Sequence, residues 1–335
     1  MATYASRHGP SVRRVFIAGA LASAVLAIAP VLAQTTRRVA RVGVLYMVPQ
    51  SASEGLPRGM RELGYVEGST VVYEWRNAAG RPERLDALAA ELVAARVDVI
   101  VAGGPGPFAA ARHATGQTAI VVVAGSDPVD EAWATSLARP GGNITGLTVT
   151  FPELALKRLE LVKELLPGLS RIALVFTPAE LPAEGVDQTA PFEAAARAMG
   201  VQTVLLPARD RAAIDDVGRL ARQGRAQAIF TIDTSFVLGN RARIADAVAA
   251  QGVPVIGEFT LFGADEVLMA YGSDLNDLLR RAAGHVDSIL KGARPGHLPI
   301  ERPSKFELTV NRKVAHGLGI AIPQSIVLRA DKVME

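Results

Sequence analysis

From Val42 onward, short runs of consecutive apolar residues alternate with longer stretches whose apolar positions return every three or four residues. The runs Val42–Met47, Thr70–Trp75, Asp98–Gly103 and Ala119–Gly125 have the length and β-branched content of buried strands. Between and after them, Gly55–Gly64, Arg81–Val97, the stretch near Phe108–His113 and Glu131–Ala138 read as helices. Arg81–Val97 begins with a proline and places Leu85, Leu88, Leu92 and Val93 at helical spacing. Apolar strands separated by amphipathic helices predict a parallel sheet covered on both faces.

After "ARPGGNITG" (Ala138–Gly146) the alternation begins again. Helices are expected over Glu153–Gly168, Ala190–Gly200, Ala212–Arg222, Arg241–Gln251 and Asp274–Gly292. Strands are expected over Arg171–Phe176, Val201–Leu206, Ala228–Asp233, Val253–Glu258 and Glu266–Gly272. The tail differs: one strand-like run (Phe306–Val310), one short helix and proline-punctuated segments suited to crossing between lobes.

The fold class is therefore α/β, two doubly wound parallel-sheet lobes joined by a multi-crossing hinge. Lobe 1 is expected over 39–146 with part of 273–335, lobe 2 over 147–272, and crossings near 141–149, 270–274 and 298–306. Gly141, Gly142 and Asn143 would give the first crossing its backbone freedom, and Gly272 a later one. Ligands of open parallel sheets sit beyond the carboxyl ends of the strands. That points to the loops at 46–51, 103–107, 125–128, 177–179, 233–235, 257–260 and 272–274.

The first 33 residues are not fold material. Arg7, Arg13 and Arg14 precede an apolar run, Val15–Ala33, that ends in small residues before Gln34, the pattern of a secretory signal peptide. The run is just long enough to span a bilayer, and its Ala- and Pro-rich end favours cleavage. The arginine pair also resembles a twin-arginine signal, although Ser11 lies one place too far upstream, and the export route stays open. The chain carries a formal charge of +3, which falls to zero without these three arginines. No nucleic-acid surface is implied. The absence of cysteine excludes a disulfide framework and a thiolate metal site.

Candidate chemistry is sparse. Gly104, Gly106 and Ala109 fit the spacing of a dinucleotide-binding loop after a strand, with Asp127 as a ribose partner. Pro105 and Pro107 weaken that reading, because each removes an amide that a pyrophosphate would use. Asp127, with Ser126 beside it, ends a strand before Pro128; it suits either a ligand ammonium or a helix N-cap. Asp233 and Thr234 are the corresponding pair in the second lobe. Tyr46, Phe176, Phe259 and Tyr271 end strands on the same side and would suit a flat or apolar ligand, or simply fill the core. The five histidines show no metal spacing, and there is no nucleophile elbow or Walker lysine. No enzyme active site, cofactor or metal is expected.

Several segments together resemble a known family: "ELGYVEGSTVVYEWRNAAGRPERLDALAAELV", "GSDPV", "SLARPGGNITGLT", "KRLELVKELLPGLSRIALVF" and "LMAYGSDLNDLLRRAAGHVDSILKGARPGHLPIERPSKFELTVN". The chain looks like the substrate-binding component of an ABC transporter with the type I periplasmic-binding-protein fold, in the tryptophan- and phenylalanine-binding-like branch. The resemblance implies a periplasmic monomer that captures an amino acid or related compound between its lobes and delivers it to a membrane permease. Tyr46, Gly104, Pro105, Gly106, Ser126 and Asp127 would hold one end of the ligand, and Phe176, Asp233, Thr234, Glu258 and Tyr271 the other. Relatives often carry a small hydroxyl residue where this chain has Pro105-Gly106-Pro107, so a larger, less anionic or non-amino-acid ligand is open. The alternatives are an exported dinucleotide-dependent oxidoreductase and a sensory binding protein of the same fold.

Overall fold

A computed structural model of the chain describes residues 38–47, 54–125, 133–149, 152–178, 189–232, 234–258, 267–303 and 305–335. The signal-peptide reading over residues 1–33 falls outside them. Four of the apolar runs become β1 (Ala40–Tyr46), β2 (Val71–Asn77), β3 (Val99–Gly103) and β4 (Ala119–Gly125), and a fifth strand, β5 (Ile144–Thr148), stands where a crossing was expected. They form one wholly parallel sheet in the order β2-β1-β3-β4-β5. On one face α2 (Leu85–Ala94) and α3 (Pro105–Ala114) cover Leu45, Ile100 and Ile120. On the other, α1 (Gly55–Glu62) and the late helix α10 (Leu275–Leu290) cover Val42, Val44 and Val121.

The second sheet has seven strands: β6 (Arg171–Phe176), β7 (Gln202–Pro207), β8 (Ala228–Thr231), β9 (Val255–Gly257), β10 (Met269–Gly272), β11 (Glu307–Asn311) and β12 (Lys332–Met334). Their order is β12-β11-β10-β9-β8-β6-β7, and only β10 and β11 run antiparallel. One face is covered by α4 (Pro152–Leu165), α5 (Ala190–Ala198), α11 (Arg312–Gly317) and α12 (Gln324–Arg329). The other carries α6 (Arg211–Asp215), α7 (Val217–Gln223), α8 (Ser235–Gly239) and α9 (Arg241–Ala249).

Three expectations change. The second sheet does not end at 272, because the tail supplies β11 and β12. Residues 133–138 of the expected helix Glu131–Ala138 are irregular, and Trp133 instead packs on Phe108 with ring centroids 4.7 Å apart. The Gly141–Asn143 turn is not a crossing, since β5 follows it within the first sheet. Its amides and side chain are tied down there: Gly141 N–H donates to the Gly296 carbonyl at 3.1 Å, and Asn143 Nδ2 to the Thr118 carbonyl at 2.7 Å. The chain leaves the first sheet after Thr148, returns between Gly272 and Leu275, and leaves again between Glu301 and Glu307.

The return is enforced by α1 and α10, whose backbones approach too closely for side chains between them. A Cβ on Gly59 would lie 2.3 Å from the Arg280 carbonyl oxygen and 2.8 Å from Ala283 Cβ. Gly59→Val should therefore destabilise the protein by about 2–3 kcal/mol or more, because overpacking here must move helix backbone. Gly168→Ala, where a Cβ meets nothing within 4 Å, should be near neutral. Urea unfolding of the two variants checks both outcomes.

Candidate functional site

The helix-to-strand order of both sheets brings the carboxyl ends of β1, β3 and β4 and of β6, β8, β9 and β10 to the places where the two sheets' connecting segments begin. Contact between the halves is made there. Gly239, at the end of α8, lies so close to the first sheet that a Cβ would be 3.2 Å from Met47 Cγ and 3.4 Å from Gly80 Cα. Arg211 Nη2 donates to the Ala79 carbonyl at 3.3 Å across the same junction. Ala79 and Gly80 both have left-handed backbones (φ 54° and 72°), which turn the segment after β2 toward α8. Among the described residues, van der Waals contact and the Arg211–Ala79 hydrogen bond join the two sheets on the side away from the chain crossings.

On the first sheet, Tyr46 ends β1 with its ring laid over Gly103; a Cβ there would sit 2.1 Å from the ring. The ring stacks on Trp75 at 6.2 Å, and Tyr46 is only 5% exposed. Its hydroxyl is buried and has no hydrogen-bond partner. Burial pushes the phenol pKa up, so the group stays neutral and able to donate. Gly104 caps α3 with a positive φ of 92°, and its N–H donates to the Val123 carbonyl at 2.8 Å. Pro105 is half-buried and Gly106 buried in the first turn of α3. Next to them β4 carries a register shift between Val122 and Gly125, with Ala124 at φ 57°. Strain of this kind in a non-glycine residue clusters at ligand sites. It immediately precedes Ser126 and Asp127, which lie outside the described residues.

On the second sheet, Thr234 caps α8 and is buried, with its Oγ1 2.6 Å from Thr177 Oγ1. Asp233 lies outside the described residues. Glu258 is spent on a side chain that the sequence pattern did not single out. Arg158, buried in the middle of α4, donates from Nη1 to Glu258 Oε1 at 2.7 Å and from Nε to the Tyr271 carbonyl at 2.9 Å. Gly272 makes room for this arrangement, because a Cβ there would lie 1.7 Å from the Glu258 carbonyl oxygen. Tyr271 and Phe176 are half-buried at the rim of the second core, and Tyr271 leans on Phe306 at 6.1 Å. Ser273, the next residue, is 3% exposed and its hydroxyl has no partner.

The structure therefore groups Tyr46, Gly104, Pro105 and Gly106 at one sheet and Phe176, Thr234, Glu258 and Tyr271 at the other. Sequence reasoning missed Arg158, Ser273 and the Met47–Gly80–Gly239 contact. Arg158 sits in a Lys-Arg pair on an amphipathic helix, where charge ordinarily marks the solvated face. Among the described residues no group of three or more His, Asp or Glu is placed to hold a metal ion, and no helix is long and apolar enough to cross a membrane.

Comparison with known proteins adds four findings. A family model described as ABC transporter substrate binding protein matches residues 43–334. A tyrosine-binding protein of Clostridioides difficile (strain R20291) is 22% identical over 270 residues, 80% of this chain and 76% of that protein. The crystal structure of a conserved domain protein from Vibrio cholerae O1 biovar El Tor superposes with a TM-score of 0.81 at 27% identity, over 88% of this chain and 100% of that one. A domain from Streptococcus pneumoniae described as an ABC domain in complex with L-Trp gives 0.80 at 24% identity, over 88% and 99%.

The unpaired Tyr46 hydroxyl makes a prediction for the ligand-free protein. Tyr46→Phe removes a buried polar atom that folding leaves unsatisfied, so stability should rise by about 1 kcal/mol rather than fall. Thermal or urea unfolding without ligand reads the sign.

Proposed function

We propose, from the premise that this chain belongs to the ABC transporter substrate-binding protein family, that it is the extracytoplasmic component of an importer. It captures an amino acid or related aromatic compound between its two lobes and delivers it to a membrane permease, with no chemistry of its own. The observation that carries this reading is the convergence of strand ends from two separate sheets, linked by repeated crossings on one side and touching at Met47, Gly80 and Gly239 on the other. Such a body can open and close about the crossings, and ligand drives closure only by binding the closed form more tightly. The relatives described as binding tyrosine and L-Trp support an aromatic amino acid or an analogue.

Tyr46, the head of α3 at Gly104–Gly106, Ser126 and Asp127 would hold the ligand from the first lobe, with Asp127 as the ammonium partner. Phe176, Asp233, Thr234 and Tyr271 would approach from the second. Glu258 acts one step back, holding Arg158 and, through it, the Tyr271 backbone. Export by the leader at residues 1–33 accounts for an extracytoplasmic location, and the protein works as a monomer.

A thermal-shift screen over aromatic amino acids, nucleosides, organic acids and aromatic amines should give a stabilising hit, and Asp127→Ala should weaken an amine-bearing hit at least tenfold by calorimetry. Unchanged affinity would remove Asp127 from the site. Gly239→Val pushes a side chain into Met47, the residue after β1, and into Gly80. Small-angle scattering with ligand should then show a larger radius of gyration than the parent, with weaker binding.

A further inference from the structure

The contact between the two halves is made by the chain's own atoms, and it stands at the edge of the first sheet away from the crossings. Two of the three crossings run along the β5 edge. The chain first leaves after Thr148, and its last departure runs beside β5, where Thr148 N–H donates to the Glu301 carbonyl at 3.1 Å. The contact lies at the opposite edge, in the turn after β2. In the order β2-β1-β3-β4-β5 the two edges are four strand spacings apart, roughly 19 Å at about 4.8 Å each.

Both sides of the contact are fixed within their own sheets. On the first, Ala78 N–H donates to the Tyr46 carbonyl at 2.8 Å, Gly80 N–H to the Met47 carbonyl at 2.9 Å, and Ala79 N–H to Asn77 Oδ1 at 2.7 Å. These bonds hold Ala79 in a left-handed conformation that residues other than glycine rarely adopt, and its carbonyl meets Arg211. On the second, Asn240 is buried, and its backbone N–H and its Nδ2 both donate to the Phe236 carbonyl, at 3.1 and 2.9 Å, closing the end of α8. The point of closest approach is a pair of glycines. A Cβ on Gly80 would lie 3.5 Å from Asn240 Nδ2 and 3.6 Å from both Arg211 Nη2 and the Gly239 carbonyl oxygen, and one on Gly239 would lie 3.4 Å from Gly80 Cα. Two pre-formed turns thus meet backbone to backbone, so little chain entropy is lost when they touch.

We infer that this contact is a latch, holding the two lobes closed independently of any solute. Its distance from the crossings makes it sharp. A rotation of about 10° about the crossings parts the β2 edge by roughly 3 Å, which carries the 3.3 Å hydrogen bond of Arg211 well past bonding distance. The latch is therefore either made or lost, and the closed form is a distinct state rather than the end of a continuous swing. Its population scales the affinity of any solute that the closed form binds, because a partly populated competent form weakens binding by its fraction. The latch goes beyond the solute-binding reading and depends on it only for this last consequence.

The chain has no cysteine, so two labels can be placed at chosen positions alone. Ala90 on α2 and Ala250 just past α9 are exposed, one on each lobe. Spin-label distances would be measured on the Ala90→Cys/Ala250→Cys protein, unfolded and refolded to strip any carried-over solute, with none added. One short distance should dominate. Arg211→Ala removes the hydrogen bond at an exposed residue and should lower the ratio of short to long distances by roughly threefold to tenfold. Gly239→Val should abolish the short distance. A parent dominated by long distances, or a ratio that Arg211→Ala leaves unchanged, overturns the latch. Either result leaves the solute-binding reading standing, since no solute takes part. Circular dichroism checks that the variants are folded, and Arg211→Ala decides alone if Gly239→Val is not.

Discussion

The packing of α1 against α10 is the contact on which the rest of the molecule depends. Gly55 and Gly59 let the two backbones touch, and the Tyr65 hydroxyl donates to Asp287 at 3.0 Å just beyond them. Because α10 follows nearly the whole second sheet in sequence, this contact pulls the chain back to the first sheet. The last segment must then leave again to complete the second with β11 and β12. Without it the chain would be two consecutive domains on one tether. With it, several strands of chain run side by side between the sheets and restrict their relative motion to a narrow range.

Much of the first sheet was legible in the sequence, because parallel strands buried on both faces read as continuous apolar runs. What was illegible has physical causes. The strand-like run at Phe306–Val310 becomes β11, whereas the three-residue edge strand β12 has too short and mixed a sequence to show a period. The Pro-Gly-Gly-Asn turn looked like a hinge because its residues permit unusual backbones. Its hydrogen bonds to Gly296 and Thr118, however, fasten it to the first sheet. The segment Glu131–Ala138 has helical composition, yet Trp133 is drawn against Phe108, and residues 133–140 have no helical turn.

The candidate site was legible at the level of strand ends and less so at the level of roles. Tyr46 stands where its position at the end of an apolar run implied. Glu258 also lies at a strand end, but its carboxylate faces a buried arginine from a helix, and no local pattern announces such a partner. Truncating Glu258 would take the carboxylate from the buried Arg158 guanidinium, a cost of about 3–5 kcal/mol. The pair therefore reads as scaffolding for the Tyr271 and Gly272 backbone.

The order in which the chain is made gives the α1–α10 contact another meaning. Tyr65 and its partner Asp287 are 222 residues apart. The first sheet lacks one of its covering helices until almost the entire polypeptide exists, and the second lacks an edge until the final residues. Neither half can mature alone, so folding is concentrated at the end of synthesis and governed by long-range contacts that close slowly.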